Sequence, residues 1–467
     1  MAFPKNFLFG TANADHQTEA YDPEHEDIWD LWERDQGLKP RGKATDFWNR
    51  YEEDIAAAAG LGCKLFRFSI AWARVETSCG NFDQTALTHY RELADCILKH
   101  GMKPMVTLHH FVWPVWLERD HGGMLGEDFP DLFARYAEKV ASGLGPEIAW
   151  WVTFNEPSQL TFGYIKPWWQ NRYYMPPGLP QGSSVDAEAK AVGKLIPNLF
   201  LAHTRARKAI KHQLGDSAQV GVNPLVTGFP IWLQKVLDWT ACHRRLSEAL
   251  FKFTTRRAIV NRSVKHDYST ETKTGWLNWA WRFWGTASLI ANSNWWYLGI
   301  SGRLAPELCP KEAIGAQDFV GLDYYWGLPT HRLHCFRLLE DAAQGRFLRA
   351  PVWPRGLYHA LRRFSRWFPE QELLIIENGC PPSANNISRG EYMRSHLSAV
   401  EAAIHKGVPV RAYNWWSITS NREWGHPFDP NTDFGLYFVD LDHDPNLTRL
   451  PTAEADLYKK IIASHQT

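Results

Sequence analysis

Two five-residue stretches place a glutamate where an apolar run gives way to a turn. They are Thr153-Phe154-Asn155-Glu156-Pro157 and Ile375-Ile376-Glu377-Asn378-Gly379. Two carboxyl groups converging on one cleft can break a glycosidic bond, one as proton donor and the other as nucleophile or base. A separation of about 5–5.5 Å gives retention through a covalent glycosyl-enzyme, and about 6.5–9.5 Å leaves room for water and gives inversion. That distance is a tertiary quantity which sequence spacing does not supply. A lone Glu at a strand end is more often a solvated surface residue, so the functional reading rests on there being two in matching settings.

Eight short apolar or alternating runs could carry such residues as strands: 7–11, 64–70, 103–109, 149–154, 219–226, 318–324, 372–376 and 408–415. Between several of them lie helical patterns. One presents Phe47, Tyr51, Ile55 and Ala58 and stops at Gly60. Another presents Leu87, Tyr90, Ala94 and Ile97 and stops at Gly101. A third opens with a capping box, Ser388-x-x-Glu391, before Met393, Leu397, Val400 and Ile404. Strands alternating with helices argue for a parallel sheet covered on both faces. Eight such units favour a closed (β/α)₈ barrel, spanning 1–467 as one domain. Glu156 then ends the fourth strand and Glu377 the seventh, and catalytic groups of such barrels sit at strand C-termini. The connection between the fifth and sixth strands, about 226–317, reads as an insertion, helical near 241–258 and rich in tryptophan (Trp276, Trp279, Trp281, Trp284, Trp295, Trp296).

Composition removes several classes. Lys+Arg and Asp+Glu are both 51 in 467 residues, so no basic excess points to nucleic acid or an anionic membrane. Neither a G-x-G-x-x-G after the first strand nor a P-loop supports a nucleotide. The seven cysteines are scattered singly without zinc spacing, which reads as reduced thiols in the cytoplasm, with no metal and no cofactor. No signal-peptide pattern opens the chain. No run reaches about 18 apolar residues, so no membrane span is expected. The N-x-S/T matches at Asn261, Asn386 and Asn446 read as chance. The 24 tryptophans suit a large aromatic core or, beside the acidic motifs, a sugar-binding cleft.

From Phe3 to about Ile462 the chain resembles the retaining β-glycosidases of glycoside hydrolase family 1, on the strength of the two glutamate motifs. The resemblance implies Glu156 as general acid/base and Glu377 as nucleophile. Glu156 must hold a proton near neutral pH while Glu377 stays ionised. It further implies Arg67 and Tyr325 beside the nucleophile. Gln17, His110 and Asn155 would bind sugar hydroxyls, Trp416 would lie under the ring, and Glu423 and Trp424 would take the 3-, 4- and 6-hydroxyls. Phe111, Asp323, Ser420 and Arg422 depart from the family pattern. Asp323 is expected to raise a pKa near Glu377, and Arg422 to neutralise Glu423 in part. His16, His109, Trp168 and Trp169 are further cleft candidates. The expected substrate is a small unphosphorylated β-glycoside, a β-glucoside first, with galactosides and fucosides tolerated. The rival readings are transfer of the sugar to an apolar or lipid acceptor, with the Trp-rich insertion touching a bilayer surface, and a non-catalytic sugar-binding relative. Thioglycoside cleavage is disfavoured because Glu156 is not Gln. Oligomeric state is left open.

Overall fold

All eight runs become strands of one parallel sheet: β1 (Leu8–Ala12), β2 (Leu65–Ser69), β3 (Lys103–Thr107), β4 (Trp150–Asn155), β5 (Val220–Asn223), β6 (Val320–Asp323), β7 (Leu373–Asn378) and β8 (Val410–Trp416). The computed structural model describes residues 3–167, 172–242, 295–304, 306–335 and 337–466. The sheet order is β5-β4-β3-β2-β1-β8-β7-β6. Its two edges meet through Val226 N–H to the Asp323 carbonyl (2.8 Å), Asp323 N–H to Pro224 (3.1 Å) and Asp318 N–H to Val220 (2.9 Å). The sheet thereby curls into a barrel.

Helices α1 (Phe47–Gly60), α2 (Gln84–Lys99), α3 (Phe129–Leu144), α4 (Val185–Leu214), α5 (Ile231–Cys242), α6 (Trp295–Ile300), α7 (Pro354–Trp367), α8 (Arg389–Ile404) and α9 (Ala453–Gln466) complete the frame. The expected capping box is formed: Ser388 accepts from Glu391 N–H while Glu391 reaches back to the Ser388 N–H at 2.9 Å. Most apolar side chains fill the layer between strands and helices. A smaller group, with Leu65, Met105, Val152, Leu374 and Ile376, plugs the barrel interior. Strand positions alternate between the two, as the two-residue side-chain period requires.

Part of the expected insertion falls outside the described residues: the helical stretch from 243 on, and Trp276, Trp279, Trp281 and Trp284. Trp295 and Trp296 are described, and there the reading of an acceptor-binding or bilayer-touching surface is corrected. Both are buried in α6, with Trp296 stacked on Phe200 at 4.5 Å. They belong to the core because α6 covers β5 and β6. Among the described residues no helix is long and apolar enough to cross a membrane.

Candidate active site

Both glutamates reach the barrel mouth through local breaks in the strand rhythm. Leu374 and Ile376 face the interior, so strict alternation would turn Glu377 outward. The pairing of β7 with β6 shifts between Leu322 and Asp323, with Leu322 opposite Ile375 but Asp323 opposite Glu377. That extra residue is a bulge, and it re-aims the side chain beyond it. A similar shift between Val152 and Asn155 on β4 sends Phe154 to the outer layer and Asn155 to the mouth. Glu156 then adopts φ of 37°, the left-handed region that non-glycine residues seldom occupy.

Arg67, fully buried on β2, organises the floor. Its guanidinium donates to Glu377, to Asn155 Oδ1 (2.7 Å) and to Thr107 Oγ1 (2.8 Å). Tyr325 donates its hydroxyl to the other Glu377 oxygen at 2.8 Å. Asn378 is pinned by Tyr413, which donates to its Oδ1 at 2.7 Å. Each carboxyl oxygen of Glu377 thus has a donor on it. Glu156 has the opposite setting. Burial first, then the Glu377 charge, hold its pKa well above the usual carboxylate range. One oxygen of Glu156 and one of Glu377 lie within 4.8 Å of each other, and Asp323 contributes a third within the same limit.

The two carboxyl groups open into a pocket of ≈ 180 Å³ whose lining includes Gln17, His110, Asn155, Tyr325, Trp416, Glu423 and Trp424. Those seven, with the two glutamates and Arg67 beneath, bring every expected site residue to one place. Gln17 is anchored through its amide N–H donors to Asn421 Oδ1 (3.0 Å) and the Arg422 carbonyl (2.9 Å), which leaves Oε1 without a protein partner. His110 lies nearly parallel to Trp416 (5.6 Å) and Trp424 (5.9 Å), and burial keeps its pKa well below 6.5, so it is a neutral hydrogen-bonding ring. Glu423 is pushed up to about 8, by burial first and then by Glu377, so at neutral pH it is largely protonated.

The other candidates divide. His109 does not line the pocket. It packs on Trp113 (5.6 Å) and Phe154 (5.2 Å) in the outer layer, neutral with a pKa near 3. His16 lies behind Gln17, on Asp27 at 2.9 Å and stacked on Trp424 at 5.7 Å. Trp168 and Trp169 lie outside the described residues. Arg422 does not neutralise Glu423: it is turned to Asp442 (3.1 Å) and donates to the Pro40 carbonyl (2.6 Å). Ser420 is structural, donating to Asp433 at 2.7 Å and accepting from Val439 N–H. Phe111 lines the pocket edge-on to Trp424 at 5.4 Å. Asp323 does stand beside Glu377, as expected.

Sequence reasoning missed Asn223, which ends β5 and bridges Asn155 Oδ1 (2.6 Å) to Asp323 Oδ2 (2.5 Å). Its signal was available: a polar residue closing a strand just before a proline, as Glu156 does. It also missed the apolar outer wall of the pocket, Phe162, Met175, Leu225, Trp326, Leu339 and Phe347. Among the described residues, two clusters have metal-ligand types in reach, Glu156/Asp323/Glu377 and His16/Asp27/Asp30. An arginine already sits in each, Arg67 on Glu377 and Arg41 on Asp30 (2.8 Å), and opposes a cation.

A parallel barrel with paired carboxyl groups beneath a pocket lined by aromatic and polar side chains is the frame of a glycoside hydrolase. Comparison with known proteins gives the particular group. A family model described as glycosyl hydrolase family 1 matches residues 1–289 and 342–467, and the chain belongs to that family. It is 26% identical to a probable inactive beta-glucosidase 14 of Oryza sativa, over 98% of this chain and 90% of that protein. It is 28% identical to beta-glucosidase 16 of Arabidopsis thaliana (94% and 87%) and 26% identical to a 6-phospho-beta-galactosidase of Clostridium acetobutylicum (94% and 93%). A family 1 β-glucosidase from Thermotoga maritima, solved with isofagomine lactam, superposes with a TM-score of 0.71 at 22% identity over 99% of both chains.

Proposed function

We propose that this chain hydrolyses terminal β-glycosidic bonds with retention, β-glucosides first and β-galactosides or β-fucosides with them. Glu377 attacks the anomeric carbon while Glu156 gives its proton to the leaving oxygen. The glycosyl-enzyme is then opened by water, from which Glu156 takes a proton. The observation that carries this reading is the opposed setting of two carboxyl groups in one pocket: one with Arg67 and Tyr325 donating to it, the other buried and proton-holding. Their nearest oxygens lie within 4.8 Å of each other, a spacing compatible with the closer, retaining geometry. When the ester forms, the Glu377 charge disappears and the main ionic cause of the Glu156 shift goes with it.

Preference for an unphosphorylated sugar finds support in the lining, where no Lys or Arg stands among the described residues. The carboxylate repulsion expected from Glu423 is blunted by its raised pKa. All seven cysteines are free thiols, in keeping with a reducing compartment such as the cytoplasm. The decisive assay is hydrolysis of p-nitrophenyl β-glycosides by the wild type and Glu377→Gly, with and without azide. A dead variant revived as the α-glycosyl azide supports Glu377 as nucleophile. A wild type inactive on the whole panel sinks the hydrolase reading and brings the non-catalytic one forward.

Transfer to an apolar acceptor keeps a place because the outer pocket wall is apolar and α5, beside it, exposes Ile231, Trp232 and Val236. Partition of sugar between water and added long-chain alcohols measures it, and liposome co-sedimentation tests surface contact. No alcohol product and no co-sedimentation end that reading.

A further inference from the structure

The mechanism above uses two carboxyl groups, but the pocket floor holds three. Asp323 ends β6, is fully buried, and brings an oxygen within 4.8 Å of one on Glu156 and one on Glu377. Its Oδ2 accepts from Asn223 at 2.5 Å, while its buried Oδ1 accepts no hydrogen bond among the described residues. Asn223 also donates to Asn155, the residue preceding Glu156. A single amide therefore fixes Asp323 relative to the β4 end that carries the acid.

Arg67 and Tyr325 already satisfy Glu377, so the group left for the buried Oδ1 of Asp323 to meet is Glu156, which has an oxygen within 4.8 Å of one on Asp323. Three buried carboxyl groups this close resist ionising together, and with Glu377 held by its two donors the proton falls to the other two. We propose that Asp323 is a positioning residue that shares one proton with Glu156, the pair being held in register by Asn223.

The proton count balances through the cycle. At rest Glu377 and the pair each carry one negative charge. As the glycosidic bond breaks, the shared proton moves to the leaving oxygen, which departs as a neutral alcohol. The anomeric carbon bonds to Glu377, which loses its charge, while the pair becomes two carboxylates. Water then gives the pair a proton and its oxygen to the anomeric carbon, and Glu377 is released as a carboxylate. The total facing Arg67 is the same at each stage. The groups facing Asp323 are Glu377 from β7, Glu156 from the end of β4, Arg67 from β2, Tyr325 beyond β6 and Tyr297 from α6. Glu423 and Tyr174 face Glu156 from the pocket side.

The inference rests on Glu156 being the general acid. The first test is the pH profile of kcat/KM for an alkyl β-glycoside, which needs its leaving group protonated, in the wild type and Asp323→Asn. Asparagine removes a neighbouring carboxylate and offers an N–H to ionised Glu156. Both favour loss of the acid's proton, so the alkaline limb should fall by about one pH unit or more. An unmoved limb in a variant with wild-type thermal unfolding overturns the proposal. The second test needs no activity: NMR titration of wild type and Glu156→Gln carrying ¹³C-carboxyl aspartate. One buried aspartyl carbon should titrate about one unit lower or more in the variant. Aspartyl curves identical in the two proteins overturn the pair, even where Asp323→Asn does not fold. Failure of azide rescue at Glu377 would instead sink the assignment of roles and leave the titration result standing.

Discussion

At the scale of single residues, the chemistry depends on where one proton sits. A raised pKa on Glu156 keeps its acid form populated above the ordinary carboxylate range, so activity on poor leaving groups is retained at neutral pH and falls as pH rises through that pKa. Glu156→Ala should lower kcat/KM on an alkyl glucoside by about 10²–10⁴-fold. The loss should be far smaller on a dinitrophenyl glucoside, whose leaving group needs no proton; equal losses on both would argue against an acid role. Tyr325→Phe removes a donor to a charged carboxylate. Bonds of this kind contribute about 1.5–3 kcal/mol, so kcat should fall roughly 10–100-fold if the contact persists in the transition state. Single-turnover kinetics would show whether the loss lies in forming or opening the glycosyl-enzyme.

At the scale of elements, the segment after β1 is tied down by ions rather than by apolar packing alone. His16 meets Asp27 at 2.9 Å, and Arg41 meets Asp30 at 2.8 Å and Asp27 at 3.3 Å, all buried. His16 is raised to about 10 from 6.5, so its contribution to stability is full below pH 6.5 and is lost as pH rises through 10. Asp27 is lowered below 3.8, chiefly by His16 and Arg41 against its burial, so its contribution is full above pH 3.8 and is lost in acid. Asp30 runs the other way: raised to about 6 by burial, it opposes stability once ionised. Arg41→Met leaves Asp30 buried without its cation and Asp27 with His16 alone, and should cost about 3–5 kcal/mol by urea unfolding. Because the next residue, Gln17, lines the pocket, KM for sugar should rise as well. Ser388→Ala, far from the pocket, removes the cap of α8 and should cost about 1 kcal/mol with kcat and KM unchanged.

At the scale of the whole molecule, the barrel closes because small residues stand where strands crowd. A Cβ on Gly10 would come within 2.2 Å of Asn414 Oδ1 and 2.5 Å of the Leu65 carbonyl. On Gly321 it would come within 2.5 Å of the Val222 carbonyl, at the seam between β5 and β6. Backbone on the far side has no room to retreat, so Gly10→Ala and Gly321→Ala should each lose about 1–3 kcal/mol or more, read as a lower thermal midpoint. A variant at either position with a wild-type midpoint would mean that the strands can spread.

Local information determined much of this protein. Apolar runs of five to eight residues marked all eight strands to within a few residues, because a strand buried on both faces must be apolar along its length. Glycine stops and the Ser388 box marked helix ends for reasons that lie within a few residues of chain. The residues that the resemblance pointed to, from Gln17 to Trp424, lie together at one pocket, and their roles toward a sugar are part of the proposal. Tertiary structure alone decided the rest. Strand alternation would have turned Glu377 and Asn155 away from the mouth, and only pairing with β6 and β5 produces the bulges that turn them in. Arg422 lies next to Glu423 in the chain but is drawn off by Asp442, and His109 follows a strand yet faces the outer layer. Asn223 and Asp323, a hundred residues apart, meet because the barrel's edges close there. Charges and side-chain directions are set by what surrounds them in space, and a sequence lists only what surrounds them along the chain.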